Sequence, residues 1–344
     1  MRTSWRAESA LSPSVESARV RNLRLLLPVL AGAAAAYVLW RIVAETSAVP
    51  PRVVLTALPV YLLLWLATIV LHAYRWRMVL VRLGSDAPLV RLTRLWLAAR
   101  AVGALVPSAS LGGEPVRAQL LASHGIPTAR AAGSVALDRS LELAGNTIVA
   151  PICIAAAVAF GAGSGSALAI AAFAAFAGLA FLLAIYARGV QGRPALVPIF
   201  GPPLRLVPVR WRATVREHLA RADQAMRELL AAHPGLVPAG LGISLVIEAL
   251  HMVELAALFA VFALAVPWPL LLLSSLGIGV AHAIPVTAAL GTLEATQVGL
   301  FTVGGEPLAT GLAVAVALRL AETWWILVGL ACLATASGSR PHER

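Results

Sequence analysis

The sequence predicts an all-α fold: a polytopic helical membrane protein of about six full spans plus two re-entrant segments, arranged as inverted repeats. Three observations predict it. Hydrophobic residues make up 60% of the chain at a mean hydropathy of +0.85. They fall in runs of about twenty, the length that crosses a bilayer as a helix. Two stretches then interrupt this pattern in the same way. Residues 106–117 (VPSASLGGEPVR) and 284–294 (IPVTAALGTLE) each run from a proline through small residues and glycine to a glutamate. Finally, the charges around them recur at one offset: Glu114 and Glu294 (294 − 114 = 180), Arg139 and Arg319 (319 − 139 = 180), Glu142 and Glu322 (322 − 142 = 180). Only 12% of the residues are charged, so a chance match at three positions is a poor explanation. Each half reads as a broken segment, a glutamate, then an apolar helix carrying Arg-x-x-Glu. Short Gly/Pro-interrupted segments at corresponding positions of two halves point to a transporter-type binding site.

Composition excludes several chemistries. The net charge of +11 comes from 27 arginines and no lysine. A Walker-type phosphate loop, a Schiff-base lysine and a Ser-Lys pair all need the missing residue. The arginines cluster beside apolar segments, so anionic lipid headgroups at the cytoplasmic surface explain them better than nucleic acid does. Cys153 and Cys332 each lie inside an apolar segment, with neither metal spacing nor a disulfide framework, and are expected to pack.

Taken in order, residues 1–24 carry Arg2, Arg6, Arg19, Arg21 and Arg24 with no apolar helical face, and read as a disordered basic cytoplasmic tail. Residues 25–336 read as a single helical membrane domain, its repeat halves at about 55–160 and 236–336. Residues 25–44 suit either a signal-peptide core or a first span; Arg41 and the long preceding tail favour an uncleaved span. A second span at 55–74 is followed by Arg75, Arg77, Arg82, Arg91 and Arg94, read as a basic cytoplasmic loop. Residues 95–106 are too short to cross, and a hairpin re-entering from the cytoplasm is expected there. Residues 131–160 cross outward to the GAGSGS turn at 161–166, which follows a helix rather than a strand and so is no dinucleotide fingerprint. Residues 167–187 cross back.

The stretch 188–234 places Val215, Leu219, Met226 and Leu229 or Leu230 at helical spacing, an amphipathic cytoplasmic segment either on the membrane surface or docked under the bundle. Residues 236–266 cross outward, 270–283 are again short and re-enter from outside, and 308–336 cross inward to a cytoplasmic tail at 337–344. Both termini are then cytoplasmic, and the repeats come out inverted without that being assumed.

The candidate chemistry lies in the charges within apolar segments. An ionised residue at a helix centre costs about 2.5–3.5 kcal/mol on insertion scales, so Asp138, Arg139, Glu142, Arg319 and Glu322 must pair, neutralise or face a wet cavity. Two readings are open. Arg139–Glu142 and Arg319–Glu322 are i,i+3 pairs that hold the bundle together, or they line a chamber that handles a lipid headgroup. Pseudo-symmetry further suggests Glu114 pairing with Arg319, and Glu294 with Arg139, across the centre. Arg117, behind the double glycine, is either part of a phosphate site at a broken helix start or a snorkelling side chain. Glu248, His251 and Glu254 share a helix face, but the second Glu-x-x-His motif of a carboxylate-bridged metal site is missing; no metal or other cofactor is expected. There is no G-x-S-x-G elbow and no H-E-x-x-H.

HAYRWRMVL at residues 72–80, LVPSASLGGEPVRAQLL at 105–121, SVALDRSLEL at 134–143 and IPVTAALGTLEA at 284–295 resemble the flippase-like integral membrane family of the lysylphosphatidylglycerol synthase transmembrane region. The G-G-E-x-x-R-A motif from Gly112 to Ala118 is its most specific part, and the Leu-Gly-x-x-Glu form at residues 290–294 is similar to the hopanoid-biosynthesis-associated branch. The resemblance implies lipid translocation, across or between membranes, in a bacterial cytoplasmic (inner) membrane. Because the chain ends soon after its last predicted span, the soluble aminoacyl-transfer domain of the large synthases is expected to be absent. The expected function is therefore that of a lipid transporter with a phospholipid, polyprenyl-phosphate-linked or hopanoid substrate, and not an enzyme. The alternatives are a non-catalytic partner of lipid-biosynthesis proteins, or a membrane-embedded lipid-modifying enzyme. The residues expected to meet substrate are Glu114, Arg117, Asp138, Arg139, Glu142, Glu294, Arg319 and Glu322.

Overall fold

The computed structural model describes residues 51–107, 112–159, 166–194, 231–262 and 264–336, with isolated helical positions between 212 and 230. The readings made for residues 1–24, 25–44, 161–165 and 337–344, and most of that for 188–234, fall outside them. All the described regular structure is helical. In chain order it comprises α1 (Pro51–Arg82), α2 (Leu89–Leu105), α3 (Gly113–Ala122), α4 (Thr128–Ala159), α5 (Ser166–Val190), α6 (Leu236–Val261), α7 (Trp268–Ala283), a 3-10 turn (Thr287–Ala289), α8 (Thr292–Val303) and α9 (Leu308–Ala336). Five of these, α1, α4, α5, α6 and α9, are long and apolar enough to cross a membrane. The protein is a multi-pass membrane protein.

Local chemistry sets where the helices stop. Pro88 precedes α2, and Val106, extended at φ −97° and ψ 131°, ends it just before Pro107, because the residue ahead of a proline is pushed out of helical geometry. Ile284, extended and followed by Pro285, ends α7 in the same way. At 17 and 16 residues, α2 and α7 are too short to cross alone; at 1.5 Å per residue each reaches about 25 Å. Each is completed by a shorter helix, α3 or α8, folded back against it. Gly113 makes the first of these pairs possible: a β-carbon there would sit 2.3 Å from the Ala99 carbonyl oxygen of α2. In the second pair the glycine is on the other helix, Gly277 of α7, whose β-carbon would meet Leu300 at 2.7 Å.

The 180-residue offset runs through the whole architecture. Adding 180 to the first residues of α2, α3 and α4 gives 269, 293 and 308, against observed starts at 268, 292 and 308. The last residue of α1 maps to 262, against 261 for α6. Each half is thus a long helix, a broken pair and a second long helix, with α5 between the halves. The halves are not side by side but interlocked: α1 packs along α6, α9 along α2, and α4 against both α6 and α7. The α2–α9 seam is tight, since a β-carbon on Gly329 would lie 2.4 Å from the Leu97 carbonyl oxygen. Two apolar cores result, one around Trp76, Leu80, Leu95 and Leu121 that Trp324 and Trp325 of α9 pack against, the other around Leu255, Phe259, Leu293 and Leu318 that Tyr61 of α1 enters.

One boundary differs from the sequence reading with consequences for the site. The basic loop expected after residue 74 begins only at Leu83. The helix continues through Arg75, Arg77 and Arg82, because no glycine or proline interrupts the chain between Pro59 and Gly84. Arg75 is therefore helical and fully buried.

Candidate functional site

The first half gathers six charged side chains between α1, α3 and α4. Helical spacing puts Asp138, Arg139 and Glu142 on adjacent faces of α4, while Glu114 and Arg117 stand one turn apart at the start of α3. Asp138, with no exposed surface, is the hub. Its Oδ1 accepts from Arg75 Nε at 2.7 Å and its Oδ2 from Arg117 Nη2 at 2.5 Å. Arg75 also donates to Ser244 of α6 at 3.0 Å, His72 Nδ1 at 3.3 Å and Glu142 at 3.4 Å. Glu142 accepts in addition from Arg139 Nη1 at 2.5 Å. Glu114 lies 3.6 Å from Arg117 and 3.8 Å from Arg139, too far for well-made hydrogen bonds. The Arg117 guanidinium sits over the Trp76 ring at 3.8 Å, and the Trp76 indole donates to Ser134 at 3.0 Å. Three arginines face three carboxylates, so the cluster is neutral overall, the condition for keeping charges away from water.

Neutrality does not satisfy every atom. Glu114 Oε2, Arg117 Nε and Arg139 Nε are buried and have no hydrogen-bond partner. All three belong to the α3–α4 side of the cluster. A buried polar atom without a hydrogen-bond partner costs about 1–3 kcal/mol, so the α3–α4 side of the cluster is the part with hydrogen-bonding capacity left to use.

The second half repeats part of the arrangement and closes it. Arg319 Nε and Nη2 fork onto Glu294 at 2.5 and 2.9 Å, Nη1 donates to Glu322, and the two terminal nitrogens reach the carbonyls of Ala288 and Ala289. Those alanines are left-handed, at φ 49° and 48°, a conformation that costs a residue with a β-carbon. The arginine holds the strained turn in place. Glu294 further caps α8 by accepting from the Gly291 amide at 2.9 Å, and His282 lies 3.1 Å from Glu322.

The structure therefore brings the eight sequence-nominated residues into two groups, Glu114, Arg117, Asp138, Arg139 and Glu142 in one and Glu294, Arg319 and Glu322 in the other. The i,i+3 pairs Arg139–Glu142 and Arg319–Glu322 are both present. The cross-centre pairing is corrected: Glu114 approaches Arg139 and Glu294 binds Arg319, each within its own half. The reason is chain connectivity. A short turn lays the broken helix on the span that follows it, so its glutamate meets that span's arginine before any residue of the other half.

Sequence reasoning missed Arg75, Ser244 and His282. The sign of Arg75 was in the helical series Trp65, Thr68, His72, Arg75, Val79, which continues one face past the point where the loop was drawn. Glu248 and His251 are 3.9 Å apart, while Glu254 turns away to accept from Thr68 at 3.3 Å. Those three residues do not converge, and among the described residues no group of three or more His, Cys, Asp or Glu side chains could hold a metal.

A multi-pass helical membrane protein with a twice-used broken helix pair, each facing an arginine of the long helix that follows it, is the class that fold and site define. The family model described as the lysylphosphatidylglycerol synthase TM region matches residues 26–329, and the chain belongs to that family. The match covers both halves and does not separate the family's branches. Among curated proteins, none matches the chain by sequence. Membership makes this a lipid-related membrane protein.

Proposed function

We propose that the protein is a flippase-like transporter that moves or presents an amphiphilic lipid, with the headgroup received at the first-half network and no covalent chemistry performed. One observation carries the reading: Glu114 Oε2, Arg117 Nε and Arg139 Nε, buried at the broken pair, make no hydrogen bond, and only long ion-pair contacts of 3.6 and 3.8 Å reach Glu114. A headgroup supplies both donors and acceptors and would complete them. Interlocking of the halves gives the site something to move against, because α4 carries the network on one side and packs on α6 and α7 of the other half.

Crossing order supports an inverted arrangement. A broken pair that returns to its side of entry leaves α4 and α5 as the crossings between α1 and α6, so α6 runs opposite to α1. The arginine-rich stretch 188–234 and the helix ends that carry Arg77, Arg82, Arg91 and Arg94 then face the cytoplasm of a bacterial inner membrane, with both termini on that side.

The test is leaflet exchange in proteoliposomes with headgroup-labelled phospholipid, polyprenyl phosphate and a hopanoid. At least one should change leaflets faster with protein than without, and Arg139→Gln should slow it while the protein remains monodisperse. No acceleration for any of the three removes transport. Full acceleration by Arg139→Gln moves the site elsewhere.

A further inference from the structure

The charge network of the second half includes a histidine with no counterpart in the repeat. His282 stands at the end of α7, and the residue 180 positions before it is Val102. Its ring has an acceptor on each side. Nδ1 lies 2.9 Å from the Ile278 carbonyl oxygen one turn back, and Nε2 lies 3.1 Å from Glu322 Oε1 of α9. A carbonyl oxygen only accepts, so Nδ1 carries a hydrogen. A neutral imidazole then has none left for Nε2, which would set a bare lone pair against a carboxylate. Both contacts are hydrogen bonds only when the pair holds one proton more than a neutral histidine and an ionised glutamate.

Charge counting in the two halves leads to the same proton. In the first half, Glu142 is held on one oxygen by Arg139 and on the other by Arg75, two permanent cations. In the second, Glu322 is held on one oxygen by Arg319 and on the other by His282. A group that can be discharged takes the place on Glu322 that an arginine takes on Glu142. Arg319 faces two carboxylates, Glu294 and Glu322, and an imidazolium at His282 supplies the balancing positive charge. The other charged side chains on the helices packed against α7 are engaged elsewhere. Those of α4 enter the first-half network (Asp138, Arg139 and Glu142) or reach the Gly84 carbonyl (Arg130), while on α6 Glu254 accepts from Thr68 and Glu248 lies beside His251. The side chains of His282 and Glu322 are 28% and 16% exposed, so the pair is not sealed off and a proton can enter and leave.

We propose that His282 and Glu322 form a proton-binding site, one proton shared across their 3.1 Å contact, and that this proton is the ion whose uptake and release accompany lipid movement. Intramembrane Glu and His side chains are the usual carriers of such protons. The route from the proton to the backbone is short. Glu322 divides its carboxylate between His282 and Arg319, and Arg319 holds the Ala288 and Ala289 carbonyls of the left-handed turn. Release of the proton leaves Glu322 to Arg319, and uptake draws the carboxylate toward α7. The charge on one ring thereby bears on how firmly the second broken pair is held. As the driving ion the proton rests on the transport reading; as a binding site it stands without it.

Ring-nitrogen NMR of the full-length, histidine-labelled protein in uncharged detergent tests the site, with the His282 signals assigned by their absence from His282→Gln. Nδ1 should stay protonated throughout the titration. The proton affinity of the ring should fall about tenfold in Glu322→Gln, which removes the facing negative charge. A bare Nδ1, or the same titration in both proteins, overturns the site. A second measurement does not need Glu322→Gln to fold. The unfolding midpoint of the parent should exceed that of His282→Gln in mild acid, and the excess should fade as pH rises, the sign for a proton bound more tightly in the folded state than in the unfolded one. An excess that does not change with pH also overturns the site. Leaflet exchange in proteoliposomes under an imposed pH gradient reads the driving role: it should follow the gradient in the parent and ignore it in His282→Gln. With the ring titration shifted as expected, no exchange at all defeats the transport reading alone, and parent exchange that ignores the gradient overturns the driving role alone.

Discussion

The two halves share a backbone plan and part of a charge pattern, and they differ in what surrounds it. Glu114, Arg139 and Glu142 have their counterparts in Glu294, Arg319 and Glu322. The hub does not: 180 residues after Arg75, Asp138 and Arg117 stand Leu255, Leu318 and Gln297. The two leucines sit in the apolar core of the second half, and Gln297 is bound to Ser274 by a 2.6 Å hydrogen bond. The same geometry can thus be filled with hydrocarbon and a neutral amide. Since replacing a buried ion triad by apolar groups is often neutral or stabilising, the first-half ions are not there for stability alone. The second-half arginine is saturated and works as a clamp, while the first-half arginines leave donors unused.

Breaking the hub should have the largest effect. Asp138→Asn leaves buried Arg75 with only Glu142 at 3.4 Å and buried Arg117 with only Glu114 at 3.6 Å, and should destabilise the protein by about 3–5 kcal/mol, read as a lowered unfolding midpoint in detergent. The triple variant Arg75→Leu, Asp138→Leu, Arg117→Gln copies the second half into the first. It should recover most of that loss and still fail to move lipid. A triple variant that transports normally would mean the hub is scaffold, and the contrast between halves would lose its functional meaning.

Next come the two equivalent arginines. Arg319→Gln removes the support of two left-handed alanines and should cost about 2–3 kcal/mol. Arg139→Gln gives up one close carboxylate contact, on a glutamate that keeps Arg75, and should cost about 1 kcal/mol. The order of effects on lipid movement, once each variant is compared below its own unfolding midpoint, should be the reverse. Equal stability losses would erase the distinction between clamp and receiver.

Much of this plan was legible in the chain. The repeat showed itself through charges, because charge is scarce in an apolar sequence and its spacing stands out. The broken pairs showed through Pro and Gly, whose backbone rules are local. Three things were not legible. Arg75 was placed in a loop because arginine after an apolar run normally marks a membrane boundary, and only its partner Asp138, 63 positions away, keeps it inside. The within-half pairing of Glu114 and Glu294 depends on how α3 and α8 fold back, which spacing does not encode. The left-handed alanines at 288 and 289 carry no compositional mark at all, since glycine is the residue that normally signals such a turn.

That strain allows a smaller test. Ala288 has φ 49° and ψ 27°, a left-handed conformation costing about 1–2 kcal/mol in a residue with a β-carbon. Ala288→Gly removes that cost and adds chain entropy to the unfolded state, so the net should be a stabilisation below about 1 kcal/mol. The gain should shrink in the Arg319→Gln background, where the turn is already released. A destabilised Ala288→Gly would show that the β-carbon packs rather than strains.

The smallest effect concerns the connection from α1 to α2, where the halves again differ in kind. Arg77 forks onto Asp86 at 2.8 Å through both nitrogens, and Arg130 reaches the Gly84 carbonyl at 3.0 Å. The positions 180 residues later, Ala257 and Val266, pack against the apolar core of the second half instead. The hydrogen bond from Arg77 holds the Asp86 carboxyl below the usual aspartate range. A carboxyl depressed in the folded protein lends stability that is complete above its ordinary pKa of about 4 and fades as pH falls through the lower folded value. The pair is exposed and screened, so the contribution is slight. It should be visible as a difference in midpoint between the parent and Asp86→Asn at pH 6 that closes below about pH 4 and also closes in high salt. If the difference instead persists in acid, the fork acts through geometry rather than charge, and the first loop is held as the second one is, by packing.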